Sequence, residues 1–407
     1  MRSGEYGKAA DYNQGMKNKL PTGLSTLLGD MSPEHFLAEY WQKKPLLVRG
    51  AVPDADQLIS RDELFQFAAD DTIESRLVSR TDGWQLDHGP FSLTQLKRTK
   101  KPWTTLVQTV NLVHPAAETL MRRFNFIPYA RLDDVMVSYA TDQGGVGPHF
   151  DNYDVFLIQG MGSRHWHIGA QKKYELVEDI PLRIIKNFRP SQDWVLNPGD
   201  MLYLPPQWAH DGVAIGECMT LSVGFRTPTT QELGEQFLSF LQDKLALSGR
   251  YSDPDLKVQR HPAEIGNAMI DQVATQLAGI RWDRTTIQKF LGASLTEPKP
   301  HVFFDPPEQP LSRAKFKQAI HRHGLTLAPA SQLLFSGNHF YLNGDAWPVA
   351  KKIQGIMREL ANSRTLSADQ IKTVALNPAA NSAKPAEDLV SLLYEAYLDG
   401  FLWHLHD

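Results

Sequence analysis

Between residues 131 and 226 the chain breaks into short β-prone runs, at 135–139, 155–159, 165–168, 201–204 and 219–225, separated by Gly, Pro, Asn and Asp. No long helical periodicity interrupts them. Strands this short bury their apolar residues by closing two sheets on each other. The stretch therefore predicts a β-sandwich or barrel, including the jelly-roll type. Helical signals flank it. Ser32-Pro33-Glu34 reads as a helix start, with Leu37, Tyr40 and Trp41 spaced as one apolar face, and 46–48 reads as a buried strand. The expected fold class is mixed α and β.

After residue 228 the pattern changes. Residues 232–247 are amphipathic, and 263–277 and 286–291 continue as helices. Prolines crowd 295–311 like a linker. A helix over 312–323, two strands around Asn343-Gly344-Asp345 and helices near 367–376 and 386–404 follow. Helices around a hairpin suit a small winged-helix-like domain. That C-terminal region is not strongly basic, so a nucleic-acid partner is not expected and a protein-interaction or structural role is.

Composition closes several other routes. Forty aromatic residues and a net charge of only −4 exclude global disorder. No run reaches the roughly 18 apolar residues that a membrane helix needs. The first 25 residues contain no apolar leader core, and the lone Cys218 excludes an internal disulfide framework and a Cys-based zinc site. A cytoplasmic protein is expected. Residues 1–20 are polar and unanchored, with a second methionine at Met16.

The chemistry concentrates in the β-rich stretch. In Gly147-Pro148-His149-Phe150-Asp151, His149 and Asp151 sit two apart on an expected strand and so share a face. This is the chain's only His-x-carboxylate triplet. A Pro-Pro turn leads to His210, 59 residues after Asp151, with several β runs between. Two histidines and one carboxylate on one side of a divalent metal make the facial triad of non-haem Fe(II) oxygenases, which leaves positions free for a co-substrate and O2. Arg164 follows on the next run. A buried arginine in a barrel needs an anion, and a guanidinium grips a carboxylate in bidentate fashion, which suits 2-oxoglutarate. His165 and His167 alternate out of phase with Arg164 and should face away.

Four segments carry a family resemblance: 41–50 (WQKKPLLVRG), 144–169 (GGVGPHFDNYDVFLIQGMGSRHWHIG), 198–212 (PGDMLYLPPQWAHDG) and 221–228 (LSVGFRTP). In order and spacing the chain resembles the bacterial ribosomal oxygenases, which are JmjC-type, cupin-like 2-oxoglutarate oxygenases. The resemblance covers about residues 24–407. It implies a double-stranded β-helix catalytic domain over 24–228 after a variable extension over 1–23. It also implies a helical dimerisation segment over 229–297, hence a homodimer, and a winged-helix-like domain over 298–407. The implied activity is hydroxylation of an arginine carbon in a loop of the sixteenth large-subunit ribosomal protein, with succinate and CO2 as co-products. By match to the family motif, His149, Asp151 and His210 would hold Fe(II), and Arg164 and Ser138 the 2-oxoglutarate carboxylate.

The strand periodicity extends this to the substrate. Asp134, Met136 and Ser138 share one face, so a Ser138 turned towards 2-oxoglutarate brings Asp134 and Met136 into the same cavity. Asp134 suits a guanidinium, Met136 its aliphatic stem, and Tyr153, on the face of His149 and Asp151, a planar cation. Ser222 adds a hydrogen bond. The resemblance implies the same set. Two other readings stay open at this point: a JmjC-type hydroxylase of histidine or another residue, and a non-catalytic cupin-like binding protein.

Overall fold

The computed structural model describes residues 27–98, 100–376 and 384–405. The polar start expected over residues 1–20, like the whole 1–23 extension, lies outside the described residues. Ser32 caps helix α1 (Pro33–Glu39) by accepting the His35 N–H, and Phe36 is the residue that α1 buries. The expected face was different: Leu37 is exposed. The helix is only seven residues long, and Gln42 turns the chain back with a φ of 56°. Tyr40 and Trp41 therefore reach the core from the turn beyond the helix, where helical spacing no longer applies.

In chain order the strands of the first half are β1 (Leu46–Val48), β2 (Ser75–Ser79), β3 (Gln85–His88), β4 (Trp103–Val107), β5 (Leu132–Ala140), β6 (Asp154–Gln159), β7 (Ser163–Gly169), β8 (Gln192–Leu196), β9 (Met201–Leu204), β10 (Ala209–Ile215) and β11 (Cys218–Phe225). They form an eight-stranded sheet, β1-β9-β6-β11-β5-β4-β2-β3, and a three-stranded sheet, β10-β7-β8. Every pairing between them is antiparallel. The result is the jelly-roll core that the strand lengths predicted.

The large sheet is buried on both faces, in different ways. Val135, Val137, Tyr139, Leu221, Val223 and Phe225 join a core with Phe36 of α1 and with residues of α2 (Arg61–Ala68), α3 (Leu93–Arg98) and α4 (Pro115–Arg122). The alternate residues, Asp134, Met136 and Ser138 on β5 and Thr220 and Ser222 on β11, line an internal cavity. Register joins the two strands across that wall, with Met136 opposite Ser222 and Ser138 opposite Thr220. Period-two alternation thus sends one set of side chains to the core and the other to the cavity.

Helices α5 (Thr230–Gln242), α6 (Asn267–Leu277) and α7 (Arg284–Thr296) follow. Thr229 and Glu232 form a capping box at the start of α5, and Asp283 caps α7. The last unit holds α8 (Arg313–His323), β12 (Leu325–Leu327), β13 (Leu333–Ser336), β14 (His339–Leu342), β15 (Asp345–Trp347), α9 (Gln354–Ser363), β16 (Thr365–Leu366), α10 (Ala368–Leu376), α11 (Lys384–Leu398) and β17 (Leu402–His404). Asn343 and Gly344, with φ of 51° and 96°, turn β14 into β15 as the Asn-Gly pair predicts. The helix expected over 386–404 is a helix and a strand. Gly400, at a φ of 75°, ends it where a Cβ would lie 2.5 Å from the Asp305 carbonyl oxygen, and β17 then pairs with β12.

This unit has its own apolar core around Phe316, Phe340, Met357 and Leu393. A buried ion pair ties it to the catalytic half. Arg364 Nε lies 2.9 Å from Glu118 Oε1, and Arg122 meets the same oxygen at 2.7 Å. The Arg364 guanidinium also donates to the carbonyls of Ser331 and Ala328, at 2.8 Å each.

Candidate active site

The cavity between the two sheets has a volume of about 650 Å3, within the usual range of about 300–1,000 Å3 for ligand sites. All nine residues singled out in the sequence line it: Asp134, Met136, Ser138, His149, Asp151, Tyr153, Arg164, His210 and Ser222. His165 and His167 lie on the opposite face of β7 from Arg164, as expected, and His165 meets Asp193 at 3.0 Å.

His149 and Asp151 do not sit on a regular strand. His149 makes an isolated bridge to His210, with backbone hydrogen bonds of 3.0 and 2.8 Å in the two directions. Pro148 has no N–H to give a ladder, and Gly147 turns the chain with a φ of 79°. The bridge replaces the expected strand and fixes the two histidines side by side, ring centroids 4.3 Å apart and planes tilted by 59°. Each Nδ1 lies against a carbonyl two residues back: His149 against Gly147 at 2.8 Å and His210 against Trp208 at 2.9 Å. A carbonyl only accepts, so Nδ1 carries the hydrogen and each Nε2 keeps its lone pair. His210 Nε2 is 3.7 Å from Asp151 Oδ2, and ligand atoms of all three residues lie within 4.8 Å of one another. Burial, and then the neighbouring His149, push His210 down to about 4, so it is a neutral donor at physiological pH. Two neutral nitrogens and one carboxylate fit a divalent metal of the facial-triad type.

The cavity floor carries buried donors with no acceptor. Arg164 is 3% exposed, and its Nε and Nη2 have no hydrogen-bond partner. Thr104 Oγ1 and Trp166 Nε1 are likewise buried and unpartnered. An unpaired buried cation costs several kcal/mol, so such a floor is complete only with an anion on it. Buried Ser138 adds a hydroxyl. The Trp166 ring is placed by a missing side chain, since a Cβ at Gly212, opposite it in the β10–β7 register, would lie 2.7 Å from the ring. This donor set fits the distal carboxylate of a dicarboxylate such as 2-oxoglutarate.

At the mouth Asp134 is already paired, although Arg76 Nε and His301 Nε2 are buried there without hydrogen-bond partners. Asp134 Oδ2 accepts the Thr109 N–H at 3.1 Å. With the Gln108 amide turned to suit both neighbours, its nitrogen lies 3.2 Å from the same oxygen and its carbonyl faces the Arg76 guanidinium. Lys299 Nζ stands 3.8 Å away. Burial raises the Asp134 pKa, against the pull of Lys299. Sequence reasoning missed Thr104, Trp166, Arg76, Gln108 and Lys299. Trp166 was within reach, because it is in phase with Arg164 on β7.

Comparison with known proteins agrees with this geometry. A JmjC domain model matches residues 119–233, and a ROXA-like winged helix model matches 279–402. The chain is 36% identical over 317 residues to the ribosomal protein uL16 3-hydroxylase of Escherichia coli K12, covering 76% of this chain and 84% of that protein. The chain belongs to the ribosomal oxygenase family. Another ribosomal oxygenase relative, the probable ribosomal oxygenase of Haemophilus influenzae, is 35% identical over 253 residues, 61% of each chain. Among solved structures, the E. coli ribosomal oxygenase YcfD in complex with cobalt and 2-oxoglutarate superposes with a TM-score of 0.75 at 31% identity, covering 92% of this chain and 98% of that one.

Proposed function

We propose that this chain is an Fe(II)- and 2-oxoglutarate-dependent hydroxylase of an arginine side chain in the large-subunit ribosomal protein uL16. One observation carries the reading: the His149-Asp151-His210 cluster and the unpaired, buried Arg164 line one cavity. Iron with 2-oxoglutarate, when bound, supplies the oxidising chemistry: O2 is consumed, 2-oxoglutarate is decarboxylated to succinate and CO2, and one oxygen atom goes to a substrate C–H bond. The protein's part is placement. His149 and His210 hold the metal through Nε2, with Asp151 beside them. Arg164 and Ser138 take the distal carboxylate. Asp134 accepts the substrate guanidinium, Ser222 adds a hydrogen bond, and Met136 and Tyr153 pack on the stem. The Asp134 carboxylate suits a planar guanidinium better than a neutral imidazole.

The helical segment supports a homodimer. Leu238 on α5 is 63% exposed, and α6 buries none of its residues, leaving Met269, Ile270 and Leu277 about half exposed. Own-chain packing leaves that apolar surface uncovered, and a second copy would cover it. We assign residues 24–228 to catalysis, 229–297 to dimerisation and 298–407 to the winged-helix-like domain. Among the described residues no helix is long and apolar enough to cross a membrane. A ribosomal-protein substrate supports a cytoplasmic enzyme.

The test is anaerobic protein given Fe(II), 2-oxoglutarate, O2 and uL16 peptides, with succinate and peptide mass followed together. A +16 Da shift on an arginine, coupled to succinate and lost in His149→Ala, is expected. Succinate with no shift on any uL16 peptide overturns the substrate. A monomeric mass by light scattering at micromolar protein overturns the dimer.

A further inference from the structure

The segment joining α7 to the winged-helix-like unit returns to the catalytic cavity. Lys299 and His301 both line it, and His301 Nε2 is buried there without a partner. Lys299 Nζ lies 3.1 Å from Asp133 Oδ1 and 3.8 Å from Asp134 Oδ2. The carboxylate assigned above to the substrate guanidinium therefore already faces a cation of its own chain. We propose that Lys299 is a tethered competitor for Asp134, which the substrate must displace, and that it thereby sets a preference for arginine over lysine. This rests on the arginine reading.

The argument is one of geometry and charge. A tethered ammonium meets Asp134 at a high effective concentration and at no cost in association entropy. A substrate lysine brings the same point charge and must bear that cost, so it gains little by exchange. A guanidinium brings a planar fork that engages both carboxylate oxygens. The site has room for the fork. Thr109, Gln108 and Lys299 all approach Oδ2. Oδ1 accepts no hydrogen bond from the described residues, and Gly224 beside it carries no side chain. Displacement need not release Lys299 from the protein, because its shorter contact is with Asp133.

The experiment uses the full chain and a uL16 peptide that it hydroxylates, beside a copy with lysine at the target position. Binding is read anaerobically by fluorescence anisotropy. Lys299→Met is expected to tighten both peptides, the lysine copy more, so that discrimination falls by about two- to fivefold, the factor carried by a partly exposed ion pair. Lys299→Arg, a stronger tethered competitor, is expected to weaken the arginine peptide. Equal weakening of both peptides in Lys299→Met, or no change in either variant, overturns the role of Lys299 while leaving the arginine reading intact. If no uL16 peptide is hydroxylated on arginine, both fail together.

Discussion

The floor and the mouth of the cavity are built on opposite principles. At the floor, Arg164, Thr104 and Trp166 present buried donors with nothing to donate to. At the mouth, Asp134, Gln108, Arg76 and Lys299 are cross-linked to one another. The floor is buried and its donors lack acceptors, which suits one small co-substrate of fixed shape and charge used in every turnover. The mouth is closer to water and its carboxylate already has partners, which suits a macromolecular substrate that arrives, exchanges partners and leaves. Burial sets the difference: an unpaired donor is tolerable only where a ligand reliably completes it, and a charge near solvent can change partners at little cost.

The largest expected effect is at the floor. Arg164→Met should weaken 2-oxoglutarate binding by about thirtyfold or more, because truncating one side of a buried charge pair commonly costs about 2–5 kcal/mol. Calorimetry with Mn(II) in place of iron reads it, and peptide binding should hardly move. If both ligands weaken equally, floor and mouth are one coupled site and the contrast fails. Next is Asp134→Asn, expected to weaken the arginine peptide about tenfold while sparing 2-oxoglutarate, as loss of a charge-assisted hydrogen bond would. Thr104→Val removes one floor hydroxyl at nearly constant volume and should cost 2-oxoglutarate affinity roughly threefold to tenfold.

Acid sharpens the contrast most gently. His210 in the folded protein titrates at about 4, below the ordinary histidine value of about 6.5. Between those values the unfolded chain binds more protons than the folded one, so stability rises with pH there and is lost as pH falls. The metal-free Tm should decline on acidification from about pH 6.5 towards about 4. Asp134 is raised by burial. Peptide affinity should therefore begin to fall, on acidification, at a higher pH than an ordinary carboxylate of about 3.9 would give.

How much of this the sequence carried depended on distance along the chain. His149, Asp151 and Arg164 lie within sixteen residues, and His210 is announced by its Pro-Pro turn. Ser138 came from the family resemblance, and strand periodicity carried it on to Asp134 and Met136. Thr104 and Lys299 were not, because β4 and the proline-rich linker carry no local signal of what they will face. Leu37 was misread because the helix stops before its periodicity is complete. The C-terminal helix was overextended because an apolar run continues past Gly400, and only the crowding against Asp305 shows why a turn is required there. Local chemistry survives reading in one dimension, and contacts made by distant segments do not.

The Glu118–Arg364 pair has a consequence for anyone who would cut this protein into parts. Both side chains are 8% exposed, and they come from opposite ends of the sequence. A truncation that deletes the C-terminal unit removes one of the two cations on Glu118 and leaves Arg122 as the other. The catalytic half on its own is then an unfinished object, and a swapped-in module from another protein inherits the obligation to supply a positive charge at that one spot.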